Sequence, residues 1–164
     1  MPRRDDKARP CCRPCGYVHY VGPSLAAGMI LRREASSDAP GQMEYCLVRR
    51  AHEPGKGKWS FPGGFVDLDE RAEDAAIREA MEETGCTAVI DSILGVYNSI
   101  GPGGKRVAIV VFVGRATAQC DSRSEEVAEL GWFSPDAIPW GEFAFDDTAA
   151  ALRRYIAADD PAEG

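Results

Sequence analysis

Glu79, Glu82 and Glu83 stand beside Arg78 at the end of a helical stretch that Gly85 closes. Carboxylates three and four residues apart on a helix repel each other by about 0.2–0.5 kcal/mol per pair. In the last turn they also face the negative end of the helix dipole, at roughly a further 0.3–1 kcal/mol each. Arg78 has the four-residue spacing to pair with Asp74 and with Glu82, but one arginine cannot neutralise three glutamates. A solvated acidic face is the plain alternative. An arrangement that works against its own helix points instead to a missing positive charge. Mg²⁺ supplies one, because it takes oxygen ligands, keeps water and bridges carboxylates to substrate phosphates.

To present those carboxylates, residues 72–84 must form a helix. Ile77, Ala80, Met81 and Thr84 recur at three- and four-residue spacing and give its core-facing stripe, with Glu79, Glu82 and Glu83 on the opposite side. Gly85 is placed as the left-handed residue that ends it. Apolar runs at 24–31, 44–48 and 59–61 read as strands before the helix, and 88–100, 106–116 and 127–133 as strands after it. Residues 34–42 and 51–58 are loops, and the glycine-rich stretch 101–105 is a hairpin connection. Ala150, Leu152, Tyr155 and Ile156 mark a second helix over 146–157. This order predicts an α/β fold, a mixed β-sheet sandwiched between α-helices.

A chain of 164 residues with 45% apolar content forms one compact domain with a real core. The expected organisation is a disordered basic arm at 1–10, a cysteine knuckle at 11–22, one main domain at 23–158 and a flexible tail at 159–164. The longest apolar run, 107–113, is too short to span a bilayer, so a soluble cytoplasmic protein without a membrane partner is expected. The net charge of −7 argues against a nucleic-acid partner. Nearly all of it is local, since residues 64–86 hold eight acids against two arginines. Cys46, Cys86 and Cys120 stand singly, as small core residues in a reducing compartment would.

The stretch GGFVDLDERAEDAAIREAMEETGC resembles the Nudix box, in which glycine is followed after five residues by glutamate and after seven more by Arg-Glu, then by Glu-Glu and a closing glycine. Gly64, Glu70, Arg78, Glu79, Glu82, Glu83 and Gly85 match without a gap. Ala80 and Cys86 are smaller than the aliphatics usual at their positions, and Arg71 stands where a capping serine is common, which leaves Asp69 to cap the helix. The flanks YCLVRRAHEPGKGKWSFPGG and EEVAELGWFSPDAIPWGEFAFDDTAAALRRYI are similar to Nudix hydrolases related to the NADH, FAD and ADP-ribose pyrophosphatases.

The resemblance implies the Nudix fold and hydrolysis of a nucleoside diphosphate joined to another group, with Mg²⁺ or Mn²⁺ as cofactor. It implies Glu79, Glu82, Glu83 and the carbonyl of Gly64 as the metal-binding set, Arg78 as the residue that orients Glu79, and Glu70 as support. The general base is a box glutamate or one of Glu126 and Glu129. Arg49 and Arg50 end a strand near the box and are candidates for substrate phosphate; only one of two neighbours on a strand can face the site. Lys56 and Lys58 read as solvated loop charges.

The linked group is less legible. The array typical of NADH pyrophosphatases is absent after the box, while Pro102 lies 16 residues past Cys86, close to where ADP-ribose pyrophosphatases often carry a proline. A glycine-rich hairpin would choose proline anyway. ADP-ribose or FAD is the expected substrate, with Trp59, Phe61, Tyr97 and Trp140 as aromatics available to stack on a base or to fill core and rim. Cys12 and Cys15 with Gly16 resemble one half of a zinc ribbon. Four ligands are needed, only ten residues precede Cys11, and Cys11 and His19 are poorly spaced to complete a set, so Zn²⁺ is not expected in the monomer. Two half-sites facing each other across a homodimer would supply four. The rival readings are a Nudix-fold sensor that binds a nucleotide without cutting it, which the complete box opposes, and a zinc-ribbon nucleic-acid module, which the charge opposes.

Overall fold

The computed structural model describes residues 8–35, 41–118 and 124–159. Much of the expected arm, nearly all of the expected tail, and Cys120 lie outside the described residues. The strands are β1 (Ser24–Glu34), β2 (Met43–Arg50), β3 (Trp59–Ser60), β4 (Gly63–Phe65), β5 (Ala88–Ile100), β6 (Arg106–Ala116) and β7 (Val127–Phe133), and the helices are α1 (Ala72–Thr84) and α2 (Asp146–Asp159). Short 3₁₀ turns occupy Pro102–Gly104, Pro135–Ala137 and Trp140–Glu142.

The sheet runs β3-β2-β1-β6-β5, with β4 added to β1 and β7 to β2. β1 is parallel to β6 and antiparallel to β2 and β4, so the sheet is mixed as expected. The near-continuous apolar run of β1 suits a strand covered on both faces. Its alternate residues divide between two cores. Ile30, Val111 and Val113 pack with Ala151 and Leu152 of α2. Met29, Leu31 and Phe112 pack with Ala75, Ala76 and Ala80 of α1. The two helices therefore cover opposite faces, as the period-two alternation of strand side chains demands.

The buried face of α1 differs from the expected one. Ala75, Ala76, Ala80, Glu83 and Thr84 face inward, whereas Ile77 and Met81 are 37% and 41% exposed. Alanines let the helix axis approach β1 and β4 more closely than isoleucine and methionine would, and the helix is turned so that Glu83 reaches the backbone of β4. The cap differs too. Arg71 occupies the N-cap position with no side-chain cap bond, so Asp69 does not cap the helix. Gly85 ends it as expected, at φ 69°, with its N–H donated to the Met81 carbonyl. Cys46 is a buried free thiol, but Cys86 is fully buried and disulfide-bonded, unlike the unbridged core cysteine expected. Among the described residues no helix is long and apolar enough to cross a membrane.

Candidate functional site

Arg78 is the hub of the site. Its Nε and Nη2 donate to the two oxygens of Glu70 at 3.1 and 2.7 Å. Nη1 donates to Glu79 at 2.8 Å and to Glu82 at 3.2 Å, and Nη2 also reaches the Phe65 carbonyl at 3.1 Å. The fork geometry of a guanidinium makes such a shared hub possible. Glu70 bonds, ahead of those to Glu79, hold the Arg78 pKa above its ordinary value, and the same bonds, helped by the Asp67 N–H, hold Glu70 low. The expected pairing with Glu82 forms, while Asp74 takes no part. The loop before α1 is thus tied to the helix through Glu70, which also accepts the Asp67 N–H at 2.9 Å.

Glu83 is 6% exposed and accepts the Gly63 N–H at 3.0 Å. Burial pushes its carboxyl up to about 7; the Gly63 bond and the Arg50 charge oppose the rise, and the charges of Glu79 and Glu126 add to it. Glu79 is also raised, by burial first, against the pull of Arg78. Both glycines that open the box are dictated by close approach. A β-carbon at Gly63 would lie 2.6 Å from the Ala27 carbonyl of β1, and one at Gly64 would lie 2.5 Å from Cδ of Glu79.

These groups border a cavity of about 410 Å³, within the usual range for small-molecule sites. Gly64, Arg78, Glu79 and Glu83 line one part of it, and Arg50 and Glu126 join them from β2 and the turn before β7. Strand alternation sends the two arginines to different faces, and the β2–β7 register shifts between them. Arg50 enters the cavity and donates to the Pro54 carbonyl at 2.7 Å. Arg49 is not a cavity residue; it bonds the Gly57 carbonyl at 2.7 Å and pairs at 3.2 Å with Glu129, whose side chain is 52% exposed. The Ala51 N–H, donated to the Glu126 carbonyl at 2.8 Å, anchors Glu126 beside the end of β2. Of the expected pairs, the cavity takes Arg50 and Glu126 and leaves Arg49 and Glu129 outside, along with Lys56 and Lys58.

The expected metal set is not drawn together. Among the described residues no three of His, Cys, Asp and Glu are gathered as a metal cluster. Glu82 pairs with Arg78 with a side chain 55% exposed, Glu79 is held by the same arginine, and Glu83 is held by Gly63. The donors themselves suit a hard divalent cation. Glu79, Glu83 and Glu126 border the cavity with Gly64, and all are oxygen ligands.

The knuckle forms a small turn in which the Gly16 N–H bonds the Cys12 carbonyl at 2.9 Å and the Cys12 N–H bonds the Tyr17 carbonyl at 2.8 Å. Cys11, Cys12 and Cys15 are free thiols there. Of the expected stacking aromatics only Phe61 lines the cavity, and it is 5% exposed. Trp59 packs edge-on against Phe133, Trp140 stacks on Phe143, and Tyr97 belongs to the α2-side core. The hairpin contributes Gly101 to the cavity wall, with Pro102 opening the 3₁₀ turn that follows. Sequence reasoning missed Phe65, Phe145 and Thr148, all of which line the cavity. None of the three carries a charge or a spacing that marks it in the sequence.

Comparison with known proteins agrees with this geometry. A family model described as the NUDIX domain matches residues 22–157. The chain is 33% identical over 120 residues to a Methanocaldococcus jannaschii protein named ADP-ribose pyrophosphatase, covering 70% of this chain and 66% of that one. It is 35% identical over 137 residues to a Mycolicibacterium smegmatis protein named 8-oxo-(d)GTP phosphatase, covering 80% of this chain and 41% of that one. It therefore spans less than two thirds of either relative. A solved structure of a Nudix hydrolase from Nitrosomonas europaea superposes with a TM-score of 0.74 at 28% identity, over 91% of this chain and 78% of that one. With its fold, its box and most of its length accounted for, the chain belongs to the Nudix family.

Proposed function

We propose that the protein is a Nudix hydrolase that uses Mg²⁺ or Mn²⁺ to cleave the diphosphate of a nucleoside diphosphate linked to another moiety, ADP-ribose in first place. The products are a nucleoside monophosphate and a phosphorylated partner. The observation that carries this reading is the convergence of Glu79, Glu83 and Glu126 with Arg50 on one cavity beside Gly64. Anions alone would repel a diphosphate, so the carboxylates call for a cation and Arg50 supplies a fixed positive charge for phosphate oxygens.

Glu79, Glu83 and the Gly64 carbonyl would hold the metal from the cavity wall, and Glu82 would join them on release from Arg78. When bound, it neutralises phosphate oxygens and lowers the pKa of water. Arg78 fixes Glu79 in place, and Glu70 fixes Arg78. Glu126 is the preferred general base, because it faces the cavity and Glu129 does not. It would take the proton of the attacking water as the bond to phosphorus forms and the bridging oxygen leaves with the other phosphate.

ADP-ribose leads because a relative at 33% identity carries that activity in its name. A nucleoside triphosphate is the second reading, from the relative named for 8-oxo-(d)GTP. FAD ranks lower, because neither curated relative cited above is named for it. The reading keeps residues 23–158 as the catalytic domain, with the knuckle as an appendage, and places the enzyme among cytoplasmic nucleotides. The deciding experiment follows nucleotide release by chromatography from ADP-ribose, FAD, NADH and nucleoside triphosphates, with Mg²⁺ and separately Mn²⁺. AMP from ADP-ribose supports the proposal; binding without turnover of any member transfers the protein to the sensor class.

A further inference from the structure

We infer that Cys12 and Cys15 are a thiol–disulfide exchange site, at which Cys15 attacks a small-molecule disulfide and Cys12 completes an intrachain Cys12–Cys15 bridge. The pair lies outside the cavity and is independent of the hydrolase reading.

Residues 10–19 fold into a small hairpin of their own. Cys11 and Val18 bridge antiparallel, and the His19 N–H donates to the Pro10 carbonyl at 2.9 Å. Gly16, at φ 72°, turns the chain back. Cys12 and Cys15 stand at the tip as exposed free thiols. The Cys15 sulfur accepts the Tyr17 N–H and is also hydrogen-bonded to the Cys12 thiol. These bonds, that from Tyr17 first, hold the Cys15 thiol below its ordinary value. The thiolate is the attacking form, so exposure and these bonds together mark Cys15 as the reactive sulfur. Cys46 is the opposite case, buried and pushed up to about 12 by that burial. Cys11 is half-buried, and its thiol is turned to the Cys12 carbonyl at 3.7 Å.

The number of thiols decides between a bridge and a metal. Two are what a disulfide needs and half of what a structural zinc site needs. Among the described residues no third cysteine, histidine or carboxylate gathers with them. Thiols that already hydrogen-bond to each other can bridge by side-chain rotation. Residues 8–23 hold Arg9 and Arg13 and no acid, a setting that favours a thiolate and draws an anionic reagent such as glutathione disulfide.

In the first step the Cys15 thiolate attacks one sulfur of glutathione disulfide, whose S–S bond breaks as one glutathione thiolate leaves. Cys12, deprotonated, then attacks the Cys15 sulfur of the mixed disulfide and expels the second glutathione. Two protein thiols are oxidised, one disulfide is reduced to two thiols, and both protons pass to the departing thiolates.

The test incubates the full chain with glutathione disulfide and follows each cysteine by alkylation and peptide mass spectrometry. Cys12 and Cys15 should become unreactive together, in one peptide lighter by two hydrogens, and a dithiol reductant should restore both. Cys46 should stay unreactive throughout. Cys12→Ser should stop at a glutathione adduct on Cys15, whereas in Cys15→Ser the modification of Cys12 should be at least about tenfold slower. No reaction, a lasting adduct on wild-type Cys15, a bridge to Cys11 or to a second chain, or equal rates in the two variants would overturn the inference. Zinc retained at about one ion per two chains in protein purified without chelator would also overturn it, by assigning the thiols to a metal shared between copies. Both cysteines are exposed, so the unfolding temperatures of the two variants should match that of the wild type and serve as the control.

Discussion

Gly64 and Glu79 meet so closely that a single methyl group cannot be placed between them: a β-carbon on Gly64 would lie 2.5 Å from the carboxyl carbon of Glu79. The φ of Gly64 does not lie in the left-handed region, so Gly64→Ala is allowed by the backbone and acts through this contact alone. Glu79 must move, and Arg78 resists. Hydrolysis of ADP-ribose should fall by about a hundredfold, the order of loss that follows a displacement near 1 Å. The unfolding temperature should shift by only a few degrees; normal turnover would refute the assigned role of Glu79.

Glu83 predicts how stability depends on pH in chelator-treated protein. Its carboxyl is raised to about 7 in the folded state from an ordinary 4.5, chiefly by burial. A raised folded pKa gives stability that is fully present below about 4.5 and is lost as pH rises through about 7. The contribution is about 3 kcal/mol. Thermal unfolding should therefore show a rise in stability from pH 8 toward pH 5, and Glu83→Gln should flatten that rise. Mg²⁺ should stabilise the wild type most at pH 8, where the carboxylate is ionised, and should do little for the variant.

Arg50 and Arg49 give a paired test. Arg50→Ala should raise KM for ADP-ribose by about tenfold or more, since it removes a charge-assisted contact to phosphate, while Arg49→Ala should leave KM within about twofold. Steady-state kinetics on both variants decides. The reverse order would mean that the arginine on the cavity wall is not the one that serves the substrate.

Glu126→Gln should lower kcat by about a hundredfold or more with KM nearly unchanged, within the range for a lost general base. Glu129→Gln, which breaks only an exposed pair with Arg49, should cost less than about 1 kcal/mol in stability and leave kcat as it is. If the two variants behave alike, the base lies among the box glutamates.

Much of the scaffold is legible in the residues themselves. β5, β6, β7 and α1 fall where alternation and helical spacing put them, because each carries a full period of pattern. β4 does not, since three residues that include two glycines have no period to read. Size and hydrophobicity favour Ile77 and Met81 for the inward face of α1, whereas packing against a sheet at close range favours alanine. The carboxylate cluster could be found from its electrostatic cost to the helix, but its partners could not. Arg50 and Arg49 are neighbours of one type, and which of them faces the cavity is set by how β2 sits in the sheet. Phe65 carries no charge and no spacing signal, and its relevance appears only when β4 is placed beside β1.

The alanine face of α1 has a mechanical consequence. Ala75, Ala76 and Ala80 are each 0% exposed and pack the helix against the sheet with only a methyl group apiece. Their methyl groups act as spacers that fix the height of Glu79 and Glu83 above Gly63 and Gly64. Added bulk at any of the three cannot be absorbed by a tightly packed interior without moving the helix or the strand. Ala80→Val would thus detune the carboxylates from beneath, silencing the site without touching a single residue that borders the cavity.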